Sequence, residues 1–336
     1  VKERVNAPKK KKGEYDGNTE VMISTGSTLL DLAISGGRVR GGGIPGGIML
    51  EIFGPESTGK TVLLCEIAGA IQRQGGDIMF HDPEARLNQQ FAQIFDLSTE
   101  DMTYTTPNTV TEVFSQLEKW IPDNGKINGV ITDSLAALST NMEMDNEEGD
   151  KMGGRRAKEF SEGFRKTARL IKSTNLIMAC SNQIRETMAA GAFAQKYDSP
   201  GGRAIKFYSS LRLRTKKIGS LSRSRTIKGK VHKQIYGIVI EIDVFKSSVW
   251  NPNRTARVAI DFEYGVDDIR ENLNYLKEMT GTSTFKLGDR DLGKNRDDAI
   301  TTVENEGLEA ELREAVINMW EEVEKKFKVE RKKKKR

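Results

Sequence analysis

Apolar residues fall in short runs separated by amphipathic stretches. The first run, Ile48 to Phe53, follows a glycine-rich segment (Gly36, Gly37, Gly41, Gly42, Gly43, Gly46, Gly47) that reads as turns leading into a core strand. The pattern then predicts a helix from about Lys60 to Gln74, a strand near Asp77 to His81, a helix around Val110 to Trp120 and a strand at Ile127 to Asp133. A long amphipathic helix from about Arg155 to Ser173 precedes a wholly apolar strand, Leu176 to Cys180. Such alternation implies an α/β fold in which helices cover both faces of a mostly parallel, twisted sheet.

Beyond Cys180 the pattern changes. Ile184 to Pro200 is rich in Ala, Gly, Met and Gln without a period, and is too long for a tight connection, so it reads as a functional loop. Strands are expected at Phe207 to Thr215, Tyr236 to Phe245 and Ala256 to Phe262, spaced like antiparallel additions to the sheet edge. From Val266 the reading is helical: about Asp267 to Met279, Asn295 to Val303 and Leu308 to Phe327. The organisation expected is a basic tail over 1–20, an α/β core over 21–265, a small α-rich domain over 266–328 and a second basic tail over 329–336. No internal repeat is visible.

Charge sharpens this division. The chain has 53 basic and 48 acidic residues, a net charge of +5. Val1 to Lys12 carries six basic residues against one acidic, and Lys325 to Arg336 nine against one, so the body between them is net acidic. Inside that body, Arg203 to Lys233 holds eleven Lys or Arg and no Asp or Glu. The tails read either as solvated ends or as attraction to phosphate backbones, while the internal segment includes apolar alternation and is expected to hold its cations in place. No stretch approaches the roughly 18 apolar residues of a membrane span, and no apolar signal core follows the N-terminal charges. Two cysteines without CxxC spacing, Cys65 and Cys180, and two histidines suit a reduced, cytoplasmic chain with no structural metal.

The chemistry begins at Gly54-Pro55-Glu56-Ser57-Thr58-Gly59-Lys60-Thr61, a full GxxxxGK[ST] pattern placed after an apolar strand and opening a helix. A phosphate site needs backbone N–H groups converging on oxygens, a helix N-terminus aimed at the anion, a lysine for the β and γ phosphates and a hydroxyl for Mg²⁺. ATP and Mg are therefore the expected ligands. A metal-directing carboxylate is also needed, and Asp133, ending the strand Val130-Ile131-Thr132, is the candidate; a helix-capping role is its other reading. Thr61 and Asp133 would then serve the metal. Hydrolysis further requires a group to orient or deprotonate water, and the pattern leaves Glu56, Asp82 and Glu84 open.

Several segments taken together resemble the RecA recombinases: GPESTGKT at 54–61, DPEARL at 82–87, TDSLAAL at 132–138, NQIR at 182–185 and SPGGRAIKFYSSLRL at 199–213. Their order and spacing match over roughly residues 21–265, with a weaker likeness beyond that includes Gly293-Lys294. The resemblance implies that Lys60 and Thr61 bind phosphates and Mg²⁺, that Asp133 supports the metal, that Glu84 activates water and that Gln183 senses the γ-phosphate. It places Phe91 near the adenine, though a core-facing helix position fits Phe91 equally. It assigns DNA-binding loops near 142–152 and 184–200, with Arg165, Arg185, Met188, Phe193, Gly201 and Gly202 close to the strand. In such loops basic groups hold phosphates while apolar side chains wedge between bases.

This sequence also departs from the family pattern. Lys246 matches one of two lysines that reach a neighbouring subunit's γ-phosphate, while Ser248 stands at the second. The stretch 142–152 contains Asp145, Glu147, Glu148 and Asp150, the C-terminus is basic where the family's is acidic, and residues 1–20 show no clear amphipathic docking helix. The resemblance implies a divergent, DNA-dependent ATPase of a bacterial or phage-infected cell. It would form homo-oligomeric helical filaments on single-stranded DNA and exchange strands with duplex DNA. A ring-forming helicase or branch-migration ATPase, and a DNA-binding regulator with weak turnover, are the other readings.

Overall fold

The computed structural model describes residues 21–120, 122–145, 152–186, 197–198, 202–329 and 331. Its centre is a nine-stranded sheet. Across it the order runs Gly265–Val266, Thr255–Asp261, Lys230–Ser247, Leu211–Ile227, Ile48–Gly54, Leu176–Gln183, Asn128–Thr132, Ile78–His81 and Met102–Thr105. The last six in this order are mutually parallel, and the first three join the Leu211–Ile227 edge antiparallel.

Every residue of Ile48–Gly54 is buried, as expected of a central parallel strand covered on both faces. Its alternating side chains feed two cores. Ile48, Leu50 and Ile52 join a cluster with Leu63, Leu64, Ile67 and Ile71 of the Lys60–Arg73 helix. Met49 faces the other cluster, with Val113 and Phe114 of Val110–Lys119 and Phe160 and Phe164 of Met152–Ser173. Phe114 and Phe164 meet edge to face, with centroids 4.8 Å apart.

Two expectations at the sheet edge need correction. Phe207 and Tyr208 lie in a helix, Gly202–Tyr208, and the strand starts only at Leu211. That strand is not an antiparallel addition; Leu211–Arg214 pairs in parallel with Leu50–Phe53, directly beside the P-loop strand. Glu51 explains the placement. Its buried carboxylate takes a hydrogen bond from Arg212 Nε, a partner that only this neighbouring strand brings into reach. The next two strands are antiparallel as expected, but one of them is far longer than the pattern indicated. Leu211–Ile227 and Lys230–Ser247 form a ribbon that outruns its neighbours, since Thr255–Asp261 covers only Gly237–Asp243. The ribbon closes at Lys228 and Gly229, with φ of 48° and 78°, the two positive values that a two-residue hairpin turn requires.

The C-terminal segment contains helices Asp268–Thr280, Arg296–Glu306 and Glu309–Phe327, and a small hairpin, Phe285–Leu287 with Arg290–Gly293, that periodicity did not reveal. These pack on their own cluster around Leu273, Val303, Leu312 and Val316. Leu32 from the N-terminal side joins that cluster, whereas Leu30 and Ile34 enter the main core. Among the described residues, no helix is long and apolar enough to cross a membrane.

Candidate nucleotide-binding site

Gly54 ends the central strand and Lys60 opens the following helix, so the 54–61 loop lies off the carboxyl end of the sheet. Two glycines there are required by space. A Cβ on Gly54 would sit 2.3 Å from Thr215 Oγ1, and one on Gly59, whose φ is +74°, would sit 2.3 Å from Ile260 Cδ1. Thr58 Oγ1 pins the loop by hydrogen bonding to Pro55 O and Thr215 Oγ1, each at 2.7 Å.

The loop borders a cavity of ≈ 570 Å³. Glu56 to Thr61, Glu84, Asp133 and Gln183 all line it, so the structure gathers most of the expected nucleotide residues in one place. Lys60 Nζ donates to the carbonyls of Pro55 (2.6 Å) and Gly54 (3.2 Å). Burial lowers the Lys60 pKa, and the Asp133 and Glu56 carboxylates partly offset this. Thr61 Oγ1 donates to Asp133 Oδ2 at 2.6 Å, while Ser181 Oγ holds Oδ1. One hydroxyl and one carboxylate side by side fit Mg²⁺, which takes few protein oxygens and completes its shell with phosphate and water. No group of three or more His, Cys, Asp or Glu among the described residues is placed to hold a metal alone.

Geometry separates the carboxylates that pattern left open. Asp82 is buried away from the cavity, where Oδ2 accepts from Leu87 N (2.7 Å) and Tyr104 Oη (2.9 Å) and so braces the loop. Glu84 lines the cavity: Oε1 accepts from Ser134 Oγ at 3.3 Å, and Oε2 is buried. The Arg86 guanidinium forms an ion pair with Oε2 at 2.6 Å. Glu56 also lines the cavity but is exposed. His81, with its pKa pushed down to about 4 by burial, is neutral and enclosed.

Gln183 stands in register with Gly54 on the adjacent strand, and the chain passes from it into a short ladder, Arg185–Glu186 with Tyr197–Asp198. Three residues were missed by sequence reasoning: Arg86, Lys217 and Phe262, all lining the same cavity. Arg86 was legible as a charge two residues from Glu84. Lys217 and Phe262 were not, because only the sheet order brings their strands beside the P-loop. Phe262, 53% exposed, forms an apolar wall with Val62, Ile238 and Ile260.

The remaining expected residues lie elsewhere. Phe91 packs edge to face on Phe95 (5.0 Å) and against the main core, and it does not line the cavity. Lys246 Nζ donates to the carbonyls of Lys206 (2.8 Å) and Phe207 (3.0 Å) at the end of the Gly202–Tyr208 helix, away from its own chain's P-loop cavity. Arg165 is exposed on the Met152–Ser173 helix, with NH2 4.0 Å from Glu162. Gly202 begins its helix and Arg185 belongs to the short ladder. Met188, Phe193 and Gly201 lie outside the described residues, as do 146–151 of the first expected loop.

The family model described as the RecA N-terminal domain matches residues 10–267. The chain is 32% identical over 317 residues to Protein RecA of Thermus thermophilus, covering 93% of this chain and 89% of that protein. It is 31% identical over 316 residues to Protein RecA of Borreliella afzelii, covering 91% and 83%. With Protein RecA of Borrelia hermsii it shares 32% identity over 305 residues, covering 88% and 82%.

Proposed function

Because this chain belongs to the RecA family, it is a RecA-type recombinase on an ATP-hydrolysing core, and we propose that it polymerises on single-stranded DNA and exchanges strands with a homologous duplex. The observation that carries this reading is the continuity between cavity and loop. Gln183 lines the nucleotide cavity, and within three residues its chain enters the segment expected to meet DNA. A change at the γ-phosphate would thus be felt at the DNA loop, and the reverse.

In the proposed mechanism the 54–61 loop and Lys60 hold the β and γ phosphates, with Lys60 exchanging the carbonyls of Gly54 and Pro55 for phosphate oxygens. Thr61 and Asp133 would hold magnesium, which when bound draws charge from the phosphates. Glu84, which lines the cavity beside Ser134, would orient the attacking water and take its proton on Oε2. The apolar wall at Phe262 would take the base. Lys246, remote from its own cavity, would act on the nucleotide of a neighbouring protomer.

The DNA groups are Arg165, Arg185, Met188, Phe193, Gly201 and Gly202, with the basic ribbon as a further phosphate contact. Arg223, Arg225, Lys228, Lys230 and Lys233 are exposed there, and none has an acidic partner among the described residues. The site of action would be the cytoplasm of a bacterial or phage-infected cell.

Electron microscopy of the protein on single-stranded DNA with a slowly hydrolysed ATP analogue tests the reading. Continuous nucleotide-dependent helical filaments are expected. Closed rings would favour a helicase instead, and isolated particles a regulator. Glu84→Gln should retain ATP and DNA binding and lose turnover; undiminished hydrolysis would remove Glu84 from its role.

A further inference from the structure

Among the described residues Arg86 is the one arginine lining the P-loop cavity. Its backbone is fixed, because Asp82 O accepts from Ala85 N at 3.0 Å and Asp82 Oδ2 accepts from Leu87 N at 2.7 Å. Its side chain is not: it is 79% exposed, and its contact is the 2.6 Å ion pair with Glu84 Oε2. Oε2 of the cavity-lining Glu84 is thereby covered by a cation whose side chain is otherwise exposed.

Of the cavity's other charges Lys60 and Asp133 are already engaged, while Lys217 and the exposed Glu56 also line it. Lys60 is held by P-loop carbonyls, and Asp133 by Thr61 and Ser181. A triphosphate entering this space brings several oxygens that can match a guanidinium fork, where Glu84 offers it a single oxygen. We propose that Arg86 reads the terminal phosphate: it rests on Glu84 when the γ-phosphate is absent and moves to that phosphate when ATP binds, uncovering Glu84 Oε2 for the attacking water. The water's O–H bond then breaks with its proton passing to Oε2, its oxygen bonds to the γ-phosphorus, and the electron pair of the breaking P–O bond leaves with ADP. Once phosphate departs, Arg86 returns to Glu84, so hydrolysis resets the screen. Arg86 would thus make the site discriminate ATP from ADP, and would couple that discrimination to the base.

The inference rests on the nucleotide reading above, and the two can fail separately. Equilibrium binding of a fluorescent, slowly hydrolysed ATP analogue and of fluorescent ADP, with Mg²⁺, is measured for the full chain and for Lys60→Ala, Arg86→Ala, Arg86→Lys, Glu84→Gln and the Glu84→Gln/Arg86→Ala double variant. If Lys60→Ala leaves both affinities unchanged, the nucleotide site itself is misassigned. If that control holds, Arg86→Ala should weaken the ATP analogue while ADP stays within about twofold, since exposed ion pairs contribute little on their own. Arg86→Lys, which keeps the charge and loses the fork, should fall between.

The competition gives the decisive comparison. Glu84→Gln should tighten the ATP analogue by freeing Arg86, and Arg86→Ala should cost about two- to fivefold more in the Glu84→Gln background than in the parent. Equal costs in both backgrounds would overturn the exchange. Equal weakening of ATP and ADP would show that Arg86 does not read the terminal phosphate.

Discussion

Arg212 Nε donates to Glu51 Oε2 at 2.5 Å, and both side chains are buried in the middle of the sheet. Asn182 Nδ2 donates to the other oxygen at 3.0 Å, and the guanidinium lies 4.3 Å from the Phe53 ring centroid. This network joins three adjacent strands: the one ending in the P-loop, the one ending at Gln183, and the one continuing into the ribbon. Removing Arg212 leaves a buried carboxylate without its cation. Arg212→Met is therefore expected to destabilise the fold by about 3–5 kcal/mol, with Glu51→Leu in the same chain restoring much of the loss. Urea denaturation of the two variants checks this; a loss under 1 kcal/mol would mean that water or rearrangement compensates Glu51.

Phe262 and Phe91 should separate cleanly. Phe262→Ala removes the aromatic wall of the cavity and is expected to weaken ATP binding roughly tenfold, since stacking on a base contributes on the order of 1–3 kcal/mol. Phe91→Ala should leave nucleotide affinity alone and lower thermal stability, because its ring is spent on Phe95. Nucleotide titration and thermal melts of both variants would reverse the assignment if the effects were exchanged.

The ribbon makes a salt-dependent prediction. Arg225 pairs across the ribbon with His232, and Arg223 with Gln234, so both arginines lie on one face. Replacing both by Gln should reduce the slope of log affinity against log salt by about 1.4 for single-stranded DNA, at roughly 0.7 per phosphate contact. DNA titrations between low and moderate salt measure the slope, and an unchanged value would remove the ribbon from the DNA path.

Stability should also depend on pH in a definite direction. Burial pushes Glu66 from its ordinary 4.5 up to about 7, against the opposing pull of Val266 N–H and Arg73, and pushes Asp31 from 3.8 to about 6. Both carboxyls hold a proton in the fold at pH values where the open chain has lost it. Their stabilisation is thus present near pH 4 and is lost as pH rises through about 6 to 7. Glu66→Gln imitates the protonated form, so it should flatten this decline and exceed the parent at pH 8 by on the order of 3 kcal/mol, the rise from 4.5 to about 7 being worth about 1.4 per unit. Denaturant midpoints at pH 5 and pH 8 decide it; parallel losses in both proteins would place the titration elsewhere.

The sequence by itself determined whatever depends on local periodicity and fixed spacing. The strand, P-loop and helix at 48–73 were readable because the loop's chemistry is contiguous, and Asp133 because it ends an apolar run. Local periodicity also marked the helices after Asp267, whereas the NQIR segment stood out only through the family resemblance. The tertiary structure alone decided which strands are neighbours. Periodicity reports which face of a strand is buried, not what lies beside it, so Leu211–Arg214 looked like an edge addition until Glu51 was seen to face Arg212. The same blindness hid Lys217 and Phe262, which reach the P-loop cavity only through strand order, and left Asp82 and Glu84 equivalent. Two residues apart in one loop, those two carboxylates differ in what surrounds them: Asp82 is held by Leu87 and Tyr104, whereas Glu84 faces the cavity between Ser134 and the exposed Arg86.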